Sequence, residues 1–151
     1  MAPVDGAPLV ALRLVFAVLV LLSTVRFAAY GWIEAQVVNP QVTFPFIAGL
    51  PRPGLIAARF LFAAMGIGAL GMLLGRPRSV ALLFFLAFTY VELLDKTNYL
   101  NHYYFVSLMA LLLVFLPTCR TDAKSVPRFA LLVPKALLTL VYFYAGVAKL
   151  H

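Results

Sequence analysis

LVALRLVFAVLVLLSTVRFAAY, residues 9–30, carries two charges in its whole length, Arg13 and Arg26, one near each end. A helix needs about 20 apolar residues to cross a hydrocarbon core. Long basic side chains near its ends keep their stems in lipid and reach the headgroups with their charged tips. The stretch is too long for a secretory signal, contains arginine, and lacks a clear small-residue cleavage site. It is expected to be a retained first membrane helix.

The rest of the chain repeats the pattern. Apolar stretches follow at 55–75, 79–94, 103–118 and 129–150. Of the 151 residues, 64% are hydrophobic and only 11% charged, and the mean hydropathy is +1.01. A soluble domain carries about 25% charged residues to cover its surface, so the solvent of this chain is largely lipid. The expected fold class is all-α, a polytopic transmembrane helix bundle of about five membrane helices, forming a single domain over 1–151. Among the glycines of the second stretch, Ala64 with Gly68 and Ile67 with Gly71 stand four apart, which offers a close-packing helix face. The single cysteine, Cys119, excludes an intrachain disulfide and reads as an incidental small residue.

Two connections carry the polar and turn-forming residues. Residues 31–54 hold Pro40, Pro45, Pro51 and Pro53 with Gly49 and Gly54, too many breaks for a continuous helix. Their aromatic and apolar residues, including Trp32, Phe44 and Phe46, suit a connector lying along the interface. The third and fourth stretches are short for full crossings and flank Asp95-Lys96-Thr97-Asn98-Tyr99-Leu100-Asn101-His102. Either the helices run on into this polar joint, or the pair forms a re-entrant hairpin.

The net charge of +7, from 12 Lys and Arg against 5 Asp and Glu, reports orientation and contact with anionic lipid in such a chain, not nucleic acid. With five crossings, Arg76, Arg78, Arg120, Lys124 and Arg128 share the side of the amino terminus. The excess of basic residues there places the amino terminus in the cytoplasm. The connector 31–54, the segment 95–102 and the end of the last helix then meet on the extracytoplasmic side. Asp95, Lys96, Asn101, His102 and Lys149 can converge there into one site.

Each of these residues has an ordinary reading beside the chemical one. Glu92 and Lys96 stand four apart, the spacing of a surface ion pair on a helix. Tyr99, His102 and Tyr103 share a face if the fourth helix starts early; tyrosine at an interface is also commonplace. His102 is the only internal histidine and follows Asn101, whose amide could orient the ring for proton transfer or for holding a developing anion. A purely structural hydrogen bond is the alternative. Tyr142, Gly146 and Lys149 share a helix face, with glycine clearing space beside the amine. Lys149 is either a snorkelling lysine at a helix end or a desolvated amine able to act as a base. Two histidines and one cysteine do not make a metal-ligand set. No phosphate loop, G-x-S-x-G elbow or nucleic-acid motif is present.

The run Leu93-Leu94-Asp95-Lys96-Thr97-Asn98-Tyr99-Leu100-Asn101-His102-Tyr103-Tyr104 resembles the signature of the vitamin K-dependent gamma-carboxylase family. The family's bacterial relatives are known as horizontally transferred transmembrane domain proteins. Val141-Tyr142-Phe143-Tyr144-Ala145-Gly146-Val147-Ala148-Lys149-Leu150 resembles its second motif, and segments 40–54 and 118–122 fit more loosely. The resemblance implies a membrane enzyme that oxidises reduced vitamin K to its epoxide, coupled to carboxylation of glutamate in a peptide substrate. It further implies that Lys149 matches the base that deprotonates the hydroquinone and His102 the group that supports the anionic chemistry. Asp95, Lys96, Asn101, Tyr99 and Tyr142 are the supporting polar residues.

The family's carboxylases continue well past the lysine motif, so this chain is expected to be an amino-terminal fragment, inactive alone. The competing expectations are a non-enzymatic bundle that binds quinone or lipid or serves as a partner subunit, and, behind these, a small transporter.

Overall fold

A computed structural model of the chain describes residues 3–76, 78–96, 101–117 and 125–149, apart from the side chains of Asn101 and His102. Among these, five α-helices dominate: α1 (Ala7–Ala29), α2 (Leu55–Leu73), α3 (Arg78–Leu94), α4 (Asn101–Phe115) and α5 (Phe129–Val147). Two-residue strands β1 (Pro3–Val4) and β2 (Val126–Pro127) pair antiparallel, Pro3 opposite Pro127 and Val4 opposite Val126. Helices α1, α2 and α5 are long and apolar enough to cross a membrane; α4 contains a shorter apolar stretch. The fold is all-α and built for lipid.

Helix α1 starts with Pro8 in its first turn, where a missing N–H costs nothing. The Asp5 carboxylate accepts the Ala7 N–H at 2.9 Å, serving one of the end donors that no helical carbonyl can reach. The helix ends where Gly31 takes φ +70°, a conformation that L side chains resist. The chain then turns through a six-residue π-helical stretch, Ile33–Val38, whose wider coil closes with the Asn39 N–H on the Glu34 carbonyl at 2.9 Å. Helical structure stops just ahead of Pro40, and no regular element intervenes before α2.

Neighbours in sequence pack as neighbours in space: α1 on α2, α2 on α3, α3 on α4. The α2–α3 contact is the closest. A methyl group at Gly68 would stand 2.7 Å from the Phe84 Cβ and 2.8 Å from the Val80 carbonyl oxygen. At Gly71 it would stand 2.8 Å from the Val80 side chain. This confirms a small-residue packing face but corrects its membership. Ile67 is exposed and Gly66 faces open space, whereas Met65, Gly68, Ala69 and Met72 form the buried stripe. The contact follows the i, i+3, i+4, i+7 row of α2.

The main core gathers Phe16, Phe62, Met65, Phe84, Met109 and Leu113 with small alanines between them. A second cluster of Leu9, Leu116, Val126 and Ala130 ties the start of α1 to the end of α4 and the start of α5. With the β1–β2 pair, it places the amino terminus and the 125–129 stretch at one end of the bundle. The connector after α1 meets Asp95, just past the end of α3, at the other. Helix α5 is the least integrated. It makes slight contact with α1 and α4, and its buried residues are Ala130 and Pro134.

Candidate functional site

Asp95 organises the end of the bundle that holds the connector. It is 1% exposed, and its carboxylate receives the Phe44 N–H on both oxygens, at 3.1 and 3.2 Å. Arg52, itself 27% exposed, donates to Oδ2 from Nη2 at 2.6 Å, an ion pair reinforced by a hydrogen bond. The Arg52 Nη1 also reaches the Val37 carbonyl at 3.5 Å. The next residue continues the clamp: the Lys96 N–H donates to the Phe44 carbonyl at 2.7 Å. The Tyr90 hydroxyl, one turn back on α3, donates to the Pro51 carbonyl at 2.6 Å. The proline-rich connector is thus fastened to the end of α3 at Phe44, Pro51 and Arg52. A buried charge persists only when it is paired and hydrogen-bonded in this way.

One turn back from Asp95, Glu92 is 5% exposed and sits in a different setting. Its Oε2 accepts the Ser107 hydroxyl of α4 at 2.5 Å, and the Thr89 hydroxyl donates to Ser107 at 3.3 Å. Its Oε1 is buried without a hydrogen-bond partner. The i, i+4 spacing to Lys96 is not used; Lys96 is exposed while Glu92 turns inward to α4.

The other expected site residues are placed as follows. Asp95 and Lys96 come together on the connector. Tyr99 lies outside the described residues, as do the side chains of Asn101 and His102. The backbones of Asn101 and His102 form the first turn of α4, so that helix does run on into the polar joint. Tyr103 packs edge-on against Phe88, ring centroids 6.1 Å apart. On α5, Tyr142 is 71% exposed and a methyl group built at Gly146 meets nothing within 4 Å; Lys149, just past the end of the helix, is exposed. The three stand at the open end of α5, which the bundle hardly covers.

Sequence reasoning missed Arg52 and Ser107 as partners. Arg52 carried a signal: it is the sole cation of the connector, set among prolines in a chain with few charges. Ser107 carried none, being one hydroxyl in an apolar helix, which ordinarily bonds back to its own backbone.

Apolar helices with their buried acids gathered on and just past α3 define an all-α integral membrane domain. The HTTM domain family model matches residues 1–151, and the chain belongs to this family. The match agrees with the likeness to vitamin K-dependent gamma-carboxylases carried by residues 93–104 and 141–150. No solved structure matches the chain.

Proposed function

We propose that this domain is the membrane part of a gamma-carboxylase-like enzyme, acting on reduced vitamin K and a glutamate-containing peptide, with Lys149 as the base. The observation that supports this reading is the exposure of Tyr142, Gly146 and Lys149 at the end of α5, within the motif that resembles the carboxylases. The residues fit a flat apolar ring. Gly146 leaves its surface clear, Tyr142 stands one turn before it, and the Lys149 amine follows one turn after. A ligand that travels in the bilayer reaches such a face directly from lipid.

The hydroquinone, when bound, would be oxidised to its epoxide by dioxygen, and that oxidation would drive proton removal from glutamate. The chain's own contribution is to hold and receive protons. The Lys149 amine would be the group that receives the hydroquinone proton. His102, in the first turn of α4, is the residue that the resemblance assigns to supporting the anionic chemistry. Asp95 acts at one remove: it fixes the connector and the chain leading into the segment that carries His102.

In this reading all five helices cross, the amino terminus is cytoplasmic, and Asp95, His102 and Lys149 face the extracytoplasmic side. The pairing of β1 with β2 supports the parity, because it joins the starts of α1 and α5 at one end.

The test is epoxide formation by membranes containing the protein, given reduced vitamin K, dioxygen, bicarbonate and a glutamate peptide. Lys149→Ala is expected to abolish epoxide while leaving the protein folded; epoxide formation undiminished in that variant would remove the assigned base. A second reading is favoured by the same helix. The large exposed apolar residues of α5, among them Phe129, Leu132 and Phe143, suit a non-enzymatic partner subunit that covers them with other membrane helices. Absence of epoxide in every preparation, with stable co-purification of a second membrane protein, would decide for it.

A further inference from the structure

An open groove of about 550 Å³ runs between α2 and α3 on the outer side of the bundle. Ala57, Phe60, Leu61 and Ala64 of α2 line it with Tyr90 of α3, and Pro51, Arg52 and Pro53 stand at its connector end. Ala57 to Ala64 is two helical turns, a rise of about 10 Å, which covers much of the hydrocarbon depth of one leaflet, about 15 Å. The lining is apolar but for two residues. The Tyr90 hydroxyl is spent on the Pro51 carbonyl at 2.6 Å, so Tyr90 offers the groove its ring. Arg52 is the other. It pairs with Asp95, but Asp95 is 1% exposed and Arg52 27%, so an anion arriving along the groove meets the guanidinium and not the carboxylate. Arg59, exposed in the second turn of α2, adds a second cation near this end, and no acid occurs in the sequence between Glu34 and Glu92.

These features specify a ligand. A long apolar trough with a cation at one end matches an amphiphile with an anionic head. Because α2 is long and apolar enough to cross a membrane, its outer side faces lipid, and the ligand comes from the bilayer. A polar ligand such as a sugar would leave its hydroxyls without partners along the trough. Arg52 has five N–H groups, of which one serves Asp95 and one the Val37 carbonyl, so donors remain for a phosphate oxygen. We propose that this groove holds one anionic phospholipid, an acyl chain along Ala57 to Ala64 and the phosphate at Arg52. A net negative headgroup gains from Arg52 and Arg59 together, whereas a zwitterionic one brings its own cation beside them. The site is separate from Lys149, and epoxide formation does not enter its test, so this proposal and the carboxylase reading can fail independently.

The experiment is native mass spectrometry of the delipidated protein in detergent, titrated separately with dioleoyl phosphatidylglycerol, dioleoyl phosphatidylcholine and oleate. One phosphatidylglycerol per chain is expected to bind about five-fold more tightly than phosphatidylcholine, the worth of one basic residue at an anionic headgroup. Equal binding of the two phospholipids by the unsubstituted protein overturns the proposal without recourse to any variant. Oleate bound as tightly as phosphatidylglycerol overturns the phospholipid in favour of a fatty acid. Two matched substitutions on α2 then place the site. Ala57→Phe fills the groove from an exposed position, and Ala63→Phe adds the same ring on the exposed side of the helix outside it. Ala57→Phe is expected to erase the preference for phosphatidylglycerol and Ala63→Phe to leave it intact. A preference that survives Ala57→Phe, or that both substitutions abolish alike, overturns the groove as its seat.

Discussion

Asp95 and Glu92 stand three residues apart, both almost wholly buried, yet they are solved in opposite ways. Asp95 lies at the end of the bundle, where the connector brings it two kinds of donor, a backbone N–H and a guanidinium. Glu92 lies against α4, where one hydroxyl serves one oxygen and the other is buried with no partner. The first carboxylate is a fastening. The second is only half served. The difference teaches that burial alone does not assign a role; the count of donors does.

The largest effect expected of this contrast comes from Asp95→Ala. It leaves the Arg52 guanidinium, already three-quarters buried, without its carboxylate, and frees the Phe44 N–H. Removing one member of a buried pair costs about 3–5 kcal/mol; partial exposure of Arg52 favours the lower end. Reversible unfolding in detergent should show that loss. Arg52→Ala should lose a similar amount, and the double variant little more, since the two act on one pair. Additive losses would mean that Asp95 and Arg52 do not hold each other.

Ser107→Ala comes next. It takes away the one donor that Glu92 has and leaves both carboxyl oxygens buried with nothing to accept. The cost of an unsatisfied buried group, about 1–3 kcal/mol, should appear in the same unfolding assay. A change below about 0.5 kcal/mol would imply that Glu92 already has another partner, which would dissolve the contrast with Asp95.

What the sequence made legible divides along the same line. Hydropathy and length read out α1, α2 and α5, because crossing a bilayer demands a long unbroken apolar run and little else. Helical period put Tyr142 and Gly146 on one face, and both lie on α5, whereas Lys149 falls just past its end at Val147. Local spacing misled at Glu92, for it offered Lys96, four residues on, while the real partner came from another helix fifteen residues away. The Arg52–Asp95 pair spans 43 residues of chain, and no local pattern announces it. Likewise, the glycine stripe showed that α2 packs closely but not which side faces α3. That choice depends on where Val80 and Phe84 stand across the turn.

The smallest effect, and the most discriminating, is expected from Glu92→Leu. Leucine and glutamate have similar volume, and the surrounding walls are apolar. Replacing a half-served buried acid with a packed hydrophobe is often neutral or stabilising. Ser107 would lose an acceptor, but a serine in a helix can turn its hydroxyl to the carbonyl four residues back, as Thr24 does to Val20 at 2.7 Å. Unfolding of Glu92→Leu should therefore lie within about 1 kcal/mol of the parent, a change no larger than that of Ser107→Ala, although it deletes the larger polar group. The ordering matters because a purely structural acid would behave like Asp95, and its loss would cost several times more.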